Sequence, residues 1–138
     1  MKDFEKISIE LKAATEKSQK KVEEIFAKAG ADLFGYAKTS PETLFFDLRS
    51  AMSAASEEFS RAYSYFSSKK AEDDLYIKAS GLCAEACDDA IGAFLAFCSE
   101  KLLNDASAPD KVFLPDLQSR AKSTFALLFA LCEKISKL

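Results

Sequence analysis

The sequence predicts an all-α protein, and three observations carry that reading. Apolar residues recur every three or four positions along four stretches, and no segment alternates with period two. The helix breakers gather at three places, each between two of those stretches. The first helix is expected from about Asp3 to Ala29, with Phe4, Ile7, Leu11, Ala14, Val22, Ile25 and Ala29 on one stripe. Gly30 and Gly35 bracket its end as a C-terminal cap and loop. The second begins at Pro41 with Ser40 as N-cap, proline being preorganised for the first helical position. Its stripe is Leu44, Leu48, Met52, Ala55, Phe59, Ala62 and Phe66. The third spans roughly Lys70 to Leu103, with Leu75, Ala79, Leu82, Ala86, Ala90, Phe94, Phe97 and Leu102 facing inward. Glu72-Asp73-Asp74 reads as an acidic first turn, where negative charge complements the helix dipole. The fourth starts at or just before Pro115 and carries Leu117, Ala121, Phe125, Leu128, Cys132 and Ile135.

Long helices joined by short loops pack as antiparallel neighbours. The expected architecture is an up-down-up-down four-helix bundle in one domain, residues 1–138, with hairpins 1–68 and 69–138. The halves also resemble each other. Ser40-Pro41-Glu42-Thr43-Leu44-Phe45-Phe46-Asp47-Leu48-Arg49-Ser50 returns as Ala108-Pro109-Asp110-Lys111-Val112-Phe113-Leu114-Pro115-Asp116-Leu117-Gln118-Ser119, at an offset of 68 that becomes 69. Ile9 then matches Ile77, Phe26 matches Phe94, and Phe59 falls opposite Leu128. Self-similarity at a fixed offset marks a repeated unit, here a duplicated helical hairpin with a pseudo-two-fold axis. Two occurrences of a common helix start would explain the Pro-acid motif equally simply.

Composition narrows the function. Half of the residues are apolar and 30% are charged, which is globular composition. The net charge of −3 lacks the basic footprint that nucleic acid requires. No secretory signal is expected in residues 1–24, and the longest apolar run, Ala90–Cys98, is too short to span a bilayer. With four cysteines and no signal, free thiols and a cytoplasmic location are expected. Residues 70–110 hold three lysines against nine acids, while 111–138 hold five basic residues against two acids. The third and fourth helices therefore read as complementary neighbours, through exposed pairs worth tenths of a kcal/mol each.

Two segments are apolar on every side: Ala90–Cys98 (A-I-G-A-F-L-A-F-C) and Phe125–Cys132 (F-A-L-L-F-A-L-C). A bundle buries one stripe of each helix, so this layer carries surplus apolar surface. Residues whose numbers add to about 219 lie side by side in a hairpin turning near Pro109, which puts Phe94 near Phe125. The surplus is expected to meet a second copy, a protein partner or an apolar ligand, through Ile91, Phe94, Leu95, Leu127 and Phe129. Coverage by the first helix or the loops is the alternative.

Cys83 and Cys87 share one helical face, and Cys132 falls level with Cys87. Three converging thiols suit a soft metal, but the spacing lacks the Cys-x-x-Cys knuckle of structural zinc. Buried free cysteine ordinarily behaves as a small hydrophobe, so no cofactor is expected. The chain has no histidine, which removes Ser-His-Asp chemistry, histidine phosphotransfer and Glu-x-x-His metal sites. Its four glycines form no phosphate loop, and Gly81 and Gly92 are expected to permit close helix packing. The reading is of a protein that is not an enzyme.

The stretch from Ser40-Pro41-Glu42-Thr43-Leu44 through Asp47-Leu48-Arg49-Ser50, followed by an Ala- and Phe-rich amphipathic helix to Ser67, resembles bacterial phasins. The resemblance covers about Ile7 to Ser68. It implies a non-catalytic protein that coats polyester granules through apolar helix faces. The sequence thus leads to a helical bundle that self-associates, as a homodimer, or binds a protein partner. Binding of an apolar ligand or granule surface, and thiol-based metal binding, are the alternatives.

Overall fold

The computed structural model describes residues 2–31, 41–104 and 114–138, whose regular structure is entirely helical. The expected caps at Gly35 and Ser40 and the turn at Pro109 lie outside the described residues. Helix α1 is Lys2–Ala31, α2 is Pro41–Ala51, α3 is Ser53–Ser68, and α4 is Asp74–Glu85. A π-helical segment, Ala86–Gly92, leads into α5, Ala93–Ser99, and a second, Glu100–Asn104, follows; α6 is Leu114–Ser136. The backbone stays right-handed helical at Ala86, Ala93 and Glu100, so 74–104 is one continuous stretch. α1 packs against α3 and α6, α3 also packs against α4, and α4, α5 and the first π segment pack against α6.

The sequence places the helical stretches but misplaces the start of the third and misses the break that divides the second into α2 and α3. The third stretch starts at Asp74, because the Asp73 side chain accepts the Leu75 N–H at 2.9 Å and caps the helix there. Lys69 to Asp73 form the connection, with Glu72 N–H donating to the Lys69 carbonyl at 2.9 Å. The stripe of the second stretch is buried at all seven expected positions.

On α1 the buried positions are Phe4, Ser8, Leu11, Thr15, Ser18, Val22, Phe26 and Ala29, spaced three or four apart throughout. Three of them are polar. Ser8 and Thr15 donate to the carbonyls of Glu5 and Leu11 within their own helix, at 2.7 and 2.8 Å. Ser18 works across the core. The second stretch breaks step at Met52, whose N–H is shared between the carbonyls of Leu48 and Arg49 at 3.1 and 3.2 Å. The first turn of the restarted helix has N–H groups without carbonyls to take them. Ser18 Oγ accepts the one from Ala55 at 3.0 Å.

The π segments have a reason in the sequence. Ala86, Ala90, Phe94, Cys98 and Leu102 are all buried and lie four apart. On an α-helix each four-residue step advances the face by about 40°, so Leu102 would swing through about 160° relative to Ala86. The i→i+5 winding turns back part of that advance and keeps the five side chains on the core. The expected stripe assumed α-helical winding throughout; in the structure Cys98 is buried and Phe97 sits half-buried on the flank.

Neither glycine of this stretch lies against a neighbouring helix, contrary to expectation. Among the described residues, a Cβ at Gly81 would meet nothing within 4 Å, and one at Gly92 would meet only its own helix's Cys87 carbonyl, at 3.1 Å. Gly81→Ala is therefore expected to stabilise the protein by about 0.5–1 kcal/mol, through the unfolded chain's lost freedom. A rise in Tm on calorimetry checks it, and a fall would mean that a close contact exists there.

Burial repeats between the halves. Ser8, Leu11, Thr15, Ser18, Val22 and Phe26 are buried, and so are Tyr76, Ala79, Cys83, Ala86, Ala90 and Phe94, each 68 positions later. Leu48, Met52, Ala55, Phe59, Ala62 and Phe66 pair likewise with Leu117, Ala121, Thr124, Leu128, Leu131 and Ile135 at an offset of 69.

Candidate functional site

Two of the five residues of the predicted apolar interface lie in the core. Ile91 is 3% exposed and Phe94 is fully buried, so both belong to the core. Leu95, Leu127 and Phe129 are half-buried and pack against that core. Successive helical residues point about 100° apart, so Leu127 and Phe129 flank Leu128 on opposite sides and share no face. The residues that do face water in the two apolar blocks are small: Gly92 and Ala96 in one, Ala126 and Ala130 in the other. The surplus apolar area inferred from the sequence is thereby reduced to the half-buried Leu95, Phe97, Leu127 and Phe129. The large side chains turn to the core and its flanks, and alanine and glycine take the outside. Phe97, on the flank, lies under Arg120 and Lys101, whose charged groups sit 5.3 and 5.7 Å from its ring centre.

The structure brings the Cys87 and Cys132 thiols close enough to Cys83 to act on it electrostatically. Among the described residues no three Cys, Asp or Glu side chains could hold an ion. Cys83 and Cys132 are buried, while Cys87 is half-buried and turns toward α3, with its sulfur 3.7 Å from Ser60 Oγ. Burial pushes the Cys83 and Cys98 thiols up to about 12 and Cys132 up to about 11. Cys87 is also raised, first by burial; the Ser60 hydroxyl opposes the rise and the Asp88 carboxylate adds to it. These are protonated thiols packed as small apolar groups.

The large apolar side chains that do reach water are elsewhere, and sequence reasoning missed them. Ile9, Phe46, Tyr63, Ile77 and Leu103 are the exposed ones among the described residues. One of these, Tyr63, lines a cleft. A hollow of about 280 Å³ between α3 and α4 with its π segment is lined by Ser60, Tyr63, Ser64, Ala84, Cys87 and Asp88. Ile77 lies two turns before Ala84 on the same side of the helix, 52% exposed, and Tyr63 is 44% exposed. The signal was present: each falls one position after a core residue, where the apolar stripe has no place for it.

A larger groove of about 690 Å³ separates α1 from α6. Its floor, Val22, Phe26 and Phe125, is almost inaccessible, and the surface it offers combines exposed Ala27 and Pro115 with the polar side chains of Gln19, Glu23, Gln118 and Lys122. At the start of α1, Asp3 accepts the hydroxyls of Tyr65 at 2.7 Å and Tyr76 at 3.4 Å. These bonds sit over a cluster in which Phe4 lies 5.6 Å from Phe66 and 5.1 Å from Tyr76 between ring centres. The Tyr65 hydroxyl holds the Asp3 carboxyl below its ordinary range. This knot ties the chain's first turn to α3 and α4. Comparison with known proteins found no matching family model, no matching curated protein and no matching solved structure.

Proposed function

We propose that this chain is a non-enzymatic, antiparallel four-helix bundle built on a duplicated hairpin, which associates with a second copy or a protein partner through the α3–α4 face. The carrying observation is an exposed tyrosine, Tyr63, in a cleft between two packed helices, with exposed Ile77 two turns away along α4 on the same side. The antiparallel arrangement is supported by the order of contacts. Asp3 meets Tyr65 while Ser18 meets Ala55, and Ser60 meets Cys87 while Phe66 meets Tyr76. Duplication is supported by the matched burial at offsets of 68 and 69. A scaffold role is supported by the interior, where every buried side-chain polar atom among the described residues has a partner.

Sedimentation velocity over a range of concentrations tests this reading, with pull-down as its companion. Tyr63→Glu and Ile77→Glu are expected to abolish association while leaving the far-ultraviolet circular dichroism unchanged. Both positions are exposed, so neither change buries a charge. Association that survives both substitutions would sink the assignment of this face. Adsorption to polyester particles, insensitive to both, would favour the phasin-like alternative instead.

A further inference from the structure

The α3–α4 cleft has a chemical character beyond its exposed tyrosine. Its walls bring together the Ser60 and Ser64 hydroxyls, the Tyr63 ring and the Asp88 carboxylate. Glu85 and Asp89 adjoin two lining residues in the chain. None of Glu85, Asp88 or Asp89 forms an ion pair with a described residue. By contrast, Arg61 on the same helix is already engaged with Glu58 at 2.8 Å. The imbalance extends over the whole side of the molecule. Residues 41–68 and 74–104 carry nine carboxylates and four basic groups, whereas 2–31 and 114–136 carry eight carboxylates and ten basic groups.

We propose that this cleft receives a lysine- or arginine-bearing amphipathic segment of a protein partner. The inference rests on the α3–α4 face being the interaction face and names what that face takes. A cationic side chain entering the cleft would meet Asp88 and two hydroxyl acceptors, with the face of Tyr63 available for a cation–π contact. Apolar residues of the same segment would cover Ile77. Desolvation on docking strengthens the attraction that water screens at an open surface. A second copy fits this site less well, because the α3–α4 side is acidic on both molecules and would repel itself in a two-fold pairing.

The test uses the intact protein and two synthetic helical peptides with the same leucine face, one bearing lysines and the other glutamates. Binding is followed through backbone amide shifts. The lysine peptide is expected to move the amides around Ser60, Tyr63, Ala84 and Asp88, and to weaken about tenfold when salt shortens the screening length. Asp88→Lys and Tyr63→Ala are each expected to lower its affinity about tenfold. Glu23→Lys, on the α1–α6 side, should leave it unchanged. Equal binding of both peptides, or shifts centred on other helices, would overturn the proposal. So would an Asp88→Lys variant that binds as the wild type does. Failure of the lysine peptide together with association that Ile77→Glu abolishes would overturn the basic-partner inference alone. Loss of the face itself would show as association insensitive to that variant.

Discussion

Replacing Phe94 with alanine is expected to lower stability by about 3–5 kcal/mol, the range for emptying a phenylalanine site in a packed core. Phe94 is fully buried at the centre of the five side chains that the π winding holds inward. The loss is a large part of the roughly 5–15 kcal/mol that holds a domain of ordinary stability folded. Urea denaturation checks it: the midpoint should fall while the slope stays constant. Phe94→Glu should go further, since a carboxylate there has no water and no partner. On the sequence reading this residue faced a partner, and its charge variant would dissociate an oligomer with helices intact. On the structure it unfolds the chain. A soluble, fully helical Phe94→Glu protein would show that the side chain is not in the core.

Ser18→Ala is expected to cost about 1–3 kcal/mol, the penalty for leaving a buried N–H without its acceptor. The Ser18 oxygen accepts the Ala55 N–H in the dry space between α1 and α3. Alanine is the better helix former by up to about 0.7 kcal/mol, so the measured net will be somewhat smaller. Hydrogen exchange separates this mechanism from simple repacking. The Ala55 amide should lose protection selectively in the variant, and Ser18→Thr, which keeps an oxygen at that place, should restore much of it. Unchanged protection at Ala55 would remove the bond from the account of this fold.

How far the sequence could be read depended on the kind of signal. Apolar periodicity located all four helical stretches, and on 41–68 every position of the expected stripe is buried, with Ala51 the one buried residue it left out. It failed on α1, where Ser8, Thr15 and Ser18 occupy core positions in a pattern searched for apolar residues. A hydroxyl is at home in a core when a carbonyl one turn back takes its proton, and composition alone does not show that. Periodicity failed again at Cys98, because the four-residue spacing was projected onto α-helical winding. The error at the candidate site had a different origin. An all-apolar run was taken to mean surplus surface, without regard to which of its members were small.

By itself, the sequence determined that the chain is helical, where its helices run, and most of its core. Those follow from the spacing of apolar side chains and from proline and aspartate at helix starts, which act within a few residues. The tertiary structure alone decided which apolar groups stay in water and which polar ones leave it. Ala126 and Ala130 face outward because neighbouring helices claim the phenylalanines and leucines between them, and Tyr63 and Ile77 remain outside because the core stripe is already filled. Both outcomes depend on the rotation of each helix about its axis. Contacts between residues tens of positions apart set that rotation, and no local window of the sequence contains them.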